Sequence, residues 1–176
     1  MLRFVMLAAI ASAAYAGELY KVQNVQQCDG LSTIKSVEVE NCTKEDLCEL
    51  IRGHNHLLRV TYVPPRSAQV VKVLITGFVG EAELPFPGFK RYVCKTPGNE
   101  NFCPQTAGQE YTTTMVLPIL SVFPNIETTA FVRFIDDDAK SEAEEKLGCF
   151  SMKIRLIDDP NASTEPANVD NQEDDE

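Results

Sequence analysis

The residues of this 176-residue chain with the most chemistry to offer are six cysteines: Cys28, Cys42, Cys48, Cys94, Cys103 and Cys149. A thiolate can bind a metal, attack a carbonyl or oxidise with a partner, and spacing and compartment decide which. Structural zinc sites draw on close pairs such as C-x-x-C or on mixed Cys/His clusters. Neither pattern occurs here. The two histidines, His54 and His56, stand i, i+2 beside Gly53. On a strand they would share a face, where they could hold a metal or exchange a proton, but the default for such a pair beside a turn is exposure in a loop. The chain has no G-x-S-x-G to present a nucleophilic serine. Asp136-Asp137-Asp138 lacks the Asp-x-Asp-x-Asp-Gly spacing of a calcium loop and reads as a solvated turn. These residues predict a non-enzymatic protein with no metal and no cofactor.

Compartment favours oxidation in pairs. The chain opens MLRFVMLAAIASAAYAG: Arg3, a short apolar run, then the small-x-small triplet Ala14-Tyr15-Ala16. That layout predicts a secretory signal peptide over residues 1–16, cut between Ala16 and Gly17. No later stretch approaches the roughly 20 apolar residues of a membrane span, so the expectation is a soluble protein, secreted or sorted to a compartment such as the lysosome. An even number of cysteines in such a chain points to a disulfide framework. Six allow about 15 pairings. Cys42 and Cys48 lie close enough to staple one local loop, and Cys94 and Cys103 another, but spacing by itself leaves the alternatives open.

The formal net charge is −10. From Asp158 onward the sequence reads DDPNASTEPANVDNQEDDE, with eight acidic residues and no basic ones. Such composition cannot bury enough apolar surface to order itself, which predicts a disordered acidic tail over 158–176. Setting aside those eight acids and Arg3 leaves 15 basic against 18 acidic residues in the body. That balance excludes the basic footprint of a nucleic-acid binder. Two sequons occur, Asn41-Cys42-Thr43 and Asn161-Ala162-Ser163. Asn161 lies in the tail, open to a glycosyltransferase, whereas disulfide closure at Cys42 competes with modification of Asn41.

The remaining body, residues 17–157, is a series of short runs of period two between turn signals. Leu58, Val60 and Tyr62 fall on one face of HLLRVTYVP, and Val71, Val73, Ile75 and Val79 on one face of VVKVLITGFVG. Val37 alternates with Val39; Met115 with Leu117 and Ile119; Ala130 with Val132 and Phe134; and Phe150 with Met152, Ile154 and Leu156. This periodicity, broken by Pro64-Pro65, Pro97-Gly98 and Pro124-Asn125, predicts an all-β sandwich of seven or eight antiparallel strands. DDDAKSEAEEKLG is the one stretch with a helical signal, and it reads equally as a charged hairpin loop. ELPFPGF stands apart. A proline on each side of Phe86 fixes the backbone and removes two donors, which places the segment at an edge or in a loop with its aromatic near a rim.

The order of motifs is more specific than any one of them. C-D-G is followed by C-x5-C and L-I-R-G, then by R-V-T-Y, L-P-F-P, C-x8-C-P, Y-T-T-T-M-V-L-P-I-L-S-V-F-P and C-F-S-M-K-I. The series resembles the ML (lipid-recognition) domain family and, within it, the Niemann–Pick type C2-like secreted sterol carriers, over about residues 20–157. The resemblance implies an immunoglobulin-like β-sandwich whose sheets splay to take an apolar ligand, with disulfides Cys28–Cys149, Cys42–Cys48 and Cys94–Cys103. It implies Phe86, Ile119 and Phe123 at the pocket entrance and Phe78, Leu117, Val132 and Phe134 along its lining. It also implies a monomeric carrier of sterol, fatty acid or similar lipid, making transient contact with membranes or acceptor proteins. The family's glycolipid-recognition branch is the alternative function, and a filled adhesion module the purely structural one. The chain departs from the pattern at Asp29, inserted in C-G-S, and at Glu81 and Glu83, acids ahead of the L-P-F-P segment.

Overall fold

A computed structural model describes residues 17–28, 30–44, 46–141 and 145–162. The predicted signal segment, Asp29 and residues 163–176 of the acidic tail lie outside these described residues. Among the described residues ten strands run in chain order: β1 Leu19–Lys21, β2 Gln26–Gln27, β3 Ile34–Glu40, β4 Cys48–Ile51 and β5 Asn55–Tyr62. They continue with β6 Val71–Val79, β7 Ala82–Pro85, β8 Tyr111–Pro118, β9 Glu127–Asp136 and β10 Lys146–Ile157, and a 3-10 turn covers Val93–Lys95. One sheet has the order β1-β3-β5-β8. The other has the order β2-β10-β9-β6-β7, with β4 also pairing with β10. Every pairing is antiparallel except β4 with β10, which run parallel from Cys48↔Ile154 to Ile51↔Ile157. The expectation of seven or eight strands fell short because β1, β2, β4 and β7 have four residues or fewer, too short to show a period.

Period-two alternation becomes the core directly. Val37 and Val39 of β3, Leu58, Val60 and Tyr62 of β5, and Val71, Val73 and Ile75 of β6 are buried between the sheets. Met115, Leu117, Ala130, Val132, Phe134, Phe150, Met152, Ile154 and Leu156 join them. Fully burying such a side chain contributes about 1.5–3 kcal/mol. Val79 continues the same face of β6 but is 44% exposed, because the pairing of β6 with β9 ends at Gly77 and Val79 pairs with Ala82 of β7 at the Gly80 turn. The DDDAKSEAEEKLG stretch connects β9 to β10, and within it Glu145 N–H donates to Ser141 O at 3.0 Å, the spacing of a helical turn. β9 continues through Asp136, β10 starts at Lys146, and residues 142–144 lie outside the described set. Gly148 sits inside β10 rather than at a helix end, and a Cβ there would stand 2.9 Å from Thr33 Oγ1 and 3.2 Å from Tyr62 Cδ2.

The three disulfides are Cys28–Cys149, Cys42–Cys48 and Cys94–Cys103, with Cα separations of 5.0, 4.9 and 5.6 Å. Cys28–Cys149 spans 121 residues, and on the loop-entropy account a closure of that length stabilises by about 5 kcal/mol, against about 2–3 kcal/mol for each short loop. Among the described residues no helix is long and apolar enough to cross a membrane.

Candidate functional site

The Pro-Phe-Pro segment occupies the edge that its chemistry requires. β7 is the outermost strand of its sheet and ends at Pro85, where a missing N–H costs no interior ladder bond. Phe86 then turns inward, its N–H donating to Ile75 O at 2.9 Å. Its ring lies against Gly77 of β6, where an added Cβ would stand 3.1 Å from Phe86 Cε2. A glycine in a strand marks a close approach, and here the approaching group is the Phe86 ring.

The opposite side is the crossing from β8 to β9, residues 119–126. The turn between β4 and β5 holds it at two points. At the first, Ile119 N–H donates to His54 O at 2.9 Å and Gly53 N–H donates to Ile119 O at 2.6 Å. At the second, Arg52 Nη1 donates to Phe123 O at 2.5 Å. So framed, Phe123 meets Phe86 edge to face, ring centroids 5.7 Å apart and planes at 73°, the arrangement that aromatic quadrupoles favour.

Beside this pair lies a cavity of about 410 Å³, lined by Gly77, Phe78, Val79 and Leu84 through Pro87, with Phe123, Pro124, Ile126, Thr128 and Leu156. Its volume falls in the range of about 300–1,000 Å³ usual for small-molecule sites. No charged residue lines it, and the Thr128 hydroxyl is occupied: its Oγ1 accepts from Phe78 N–H at 3.2 Å and donates to Phe78 O at 2.8 Å. Such a surface offers a ligand burial and shape, and hardly any hydrogen bonding. Of its lining, Val79 and Leu84 are exposed, and the crossing that carries Phe123 also exposes Leu120 and Val122, Val122 by 81%.

The acids ahead of L-P-F-P do not face the cavity. Glu83 Oε1 accepts from Arg133 Nη1 at 2.8 Å and from Thr76 Oγ1 at 2.5 Å on the outer face of the sheet. The Thr76 hydrogen bond, and then Arg133, hold its carboxyl below the usual glutamate range. Lys90 lines a different groove, with Phe89, Met115 and Pro118.

The predicted site residues separate into two groups. Phe86 and Phe123 meet at the opening, and Phe78 lines it while its ring packs edge-on against Phe131, centroids 5.9 Å apart. Ile119, Leu117, Val132 and Phe134 are buried in the closed core, outside the cavity. Phe134 stacks on Tyr62 at 4.5 Å. Sequence reasoning missed Gly77, Leu84, Ile126 and Leu156; of these, Gly77 carried a signal, as the break in an otherwise unbroken β-run.

His54 is exposed in the β4–β5 turn as expected, whereas His56 is a correction. His56 is 3% exposed rather than solvated, because it continues the inward Leu58-Val60-Tyr62 face by two residues. Its Nε2 accepts from Ile51 N–H at 2.9 Å. Burial pushes its pKa down, against smaller upward effects from the Ile51 backbone and Glu40. His54 lies outside β5 and pairs with Asp159 at 3.1 Å, so the two rings do not act together. Among the described residues no three His, Cys, Asp or Glu side chains gather as metal ligands. Asn41 and Asn161 are exposed, Asn41 at a turn with φ 59°.

The profile of the ML domain matches residues 22–156. The chain is 28% identical over 127 residues to a mite group 2 allergen, Tyr p 2 of Tyrophagus putrescentiae, covering 72% of this chain and 83% of that protein. It is 27% identical over 138 residues to NPC intracellular cholesterol transporter 2 homolog a of Drosophila melanogaster, covering 78% and 90%. In three dimensions it resembles a Niemann–Pick type C2 protein from the Japanese carpenter ant, with a TM-score of 0.63 at 18% identity over 75% of this chain and 98% of that one. With the profile spanning most of the sandwich and the three disulfides in place, the chain belongs to the ML domain family.

Proposed function

We propose that this protein is a non-enzymatic carrier that binds a sterol or a related apolar lipid and hands it to membranes or acceptor proteins. The observation that carries the reading is the cavity itself: an opening between paired phenylalanines, lined by carbon, with no charged side chain. A ligand with about 400–500 Å² of apolar surface would gain on the order of 10 kcal/mol there before the costs of association. The fruit-fly relative, named as a cholesterol transporter homolog, supports the same ligand class. In this reading Phe86 and Phe123 gate the opening. Ile119, Leu117, Val132 and Phe134 become lining as a long ligand parts the sheets. The exposed apolar rim is where membrane or acceptor meets the gate.

The domain division goes with the function: a signal peptide over 1–16, one lipid-binding domain over 17–157 and an acidic tail over 158–176, in a secreted monomer with Asn41 and Asn161 as glycan acceptors. The glycolipid alternative gains nothing from the cavity, which has no cation at its lining to meet a phosphate.

The test is to purify the protein from eukaryotic cells, extract it and identify co-purifying lipid by mass spectrometry, then to titrate wild type and Phe86→Ala with a fluorescent sterol. Bound apolar lipid is expected, with about 10–30-fold weaker probe binding in the variant, the scale of losing an aromatic anchor. Lipid-free protein together with an unchanged probe affinity would sink the proposal.

A further inference from the structure

We infer that Glu40 is a built receptor for the chain's own α-amino group, the ammonium created when the Ala16–Gly17 bond is cut. The inference rests on the signal-peptide reading, and the geometry is independent of it. Gly17 N–H donates to Glu40 Oε1 at 2.8 Å. The carboxylate is fixed from its other side, since Oε2 accepts from Leu57 N–H of β5 at 2.9 Å. Glu40 closes β3, in register with Leu19 of β1, so the carboxylate sits beside the start of the sheet's first strand. A Cβ at position 17 would run into that carboxylate, standing 2.6 Å from Glu40 Cγ. Position 17 therefore suits glycine, for a reason unconnected with what a signal peptidase reads.

The cut changes the chemistry of one atom. Water adds across the peptide bond, leaving a carboxylate on Ala16 and, after protonation, an ammonium on Gly17. A neutral amide with one hydrogen becomes a cation with three, and a charge-assisted hydrogen bond is about twice as strong as a neutral one. Capture of an N-terminal amine by a prepared acceptor is a known recognition mode. Its consequence here is mechanical. β1 has three residues and, among the described strands, pairs with β3 alone, the kind of short terminal strand that frays unless tied down. Glu40 is the carboxylate in contact with Gly17 N; the other titratable groups of this neighbourhood are Glu18, next in the chain, whose carboxylate accepts from Tyr20 OH at 3.0 Å, and His56 of β5, on which the charge of Glu40 acts.

The experiment has two arms. Intact mass of the protein secreted from eukaryotic cells is expected to show Gly17 as the first residue; a different first residue overturns the proposal through its processing step and leaves the lipid reading untouched. In the second arm, a chain released to begin at Gly17 is compared with the same chain carrying one extra N-terminal alanine, and each is made with and without Glu40→Gln, which keeps an acceptor for Leu57 N–H. Nitrogen-15 NMR is expected to put the Gly17 α-amino pKa above the ordinary range of about 7.7–8.0, and back within it in Glu40→Gln. The extra alanine and Glu40→Gln should each lower Tm by about 2–4 °C, and the double change should lower it no further. An α-amino pKa in the ordinary range, or equal melting with and without the added alanine, overturns the site even if the secreted protein starts at Gly17.

Discussion

Gly77 and Phe86 are nine positions apart in the sequence and make one contact that shapes the site. The glycine leaves a gap on the inward face of β6, and the ring of Phe86 settles against it, so close that a Cβ would lie 3.1 Å from the ring edge. Gly77→Val puts two methyl groups into that gap while suiting the strand. Phe86 is then expected to leave its seat and binding of an apolar probe to fall about tenfold. On the Gly77→Val background, Phe86→Ala should cost little more, because residues in contact are not additive; additive losses measured by probe titration would show that the contact does not shape the site. The Pro-Phe-Pro signature made Phe86 legible as a rim aromatic. Glu83 was not legible, because which face of a two-sided edge strand an acid takes depends on Arg133, fifty residues away.

At the scale of elements, the turn between β4 and β5 acts as a frame for the β8–β9 crossing. Backbone bonds from Gly53 and His54 fix its beginning at Ile119. Arg52 fixes its aromatic by bonding Phe123 O, and the same guanidinium pairs with Asp158 at the root of the tail. Hydrogen bonds from charged donors contribute about 1.5–3 kcal/mol where they are shielded from water. Arg52→Gln is therefore expected to speed dissociation of a bound fluorescent lipid by about tenfold in stopped-flow measurements. Arg155→Gln, which removes pairs to Glu127 and Glu49 on the outer face, should leave that rate alone. Equal effects from both variants would mean that charge, and not the Phe123 contact, sets the rate. Leu-Ile-Arg-Gly was visible in the sequence as a motif; that its arginine reaches residue 123 was not, because only the packing of the two sheets brings the turn and the crossing together.

For the molecule as a whole, His56 links folding to pH. Burial lowers its pKa in the folded state, so between that value and the ordinary one of about 6.5 the unfolded chain binds more protons than the folded one. Stability then rises with pH across this window and is lost as pH falls below about 6.5. Chemical denaturation from pH 7.5 down to 5 should show this loss. His56→Gln, which can still accept from Ile51 N–H, should flatten it; an unchanged slope would assign the loss to other groups.

Period-two alternation was enough to specify a sandwich and nearly all of its inward side chains, because one face of each strand must leave water and side chains alternate strictly. The leader-like start and even cysteine count pointed to an oxidised framework, and the motif series to the family. Tertiary structure alone decided three things: that Phe86 and Phe123 touch, that the acids at 81 and 83 stay clear of the opening, and that Leu117, Val132 and Phe134 lie in a closed core beyond the cavity. The physical reason is the same for each. Alternation says which face of a strand is buried, but whether a buried face meets another side chain or an empty space is fixed by residues from distant strands.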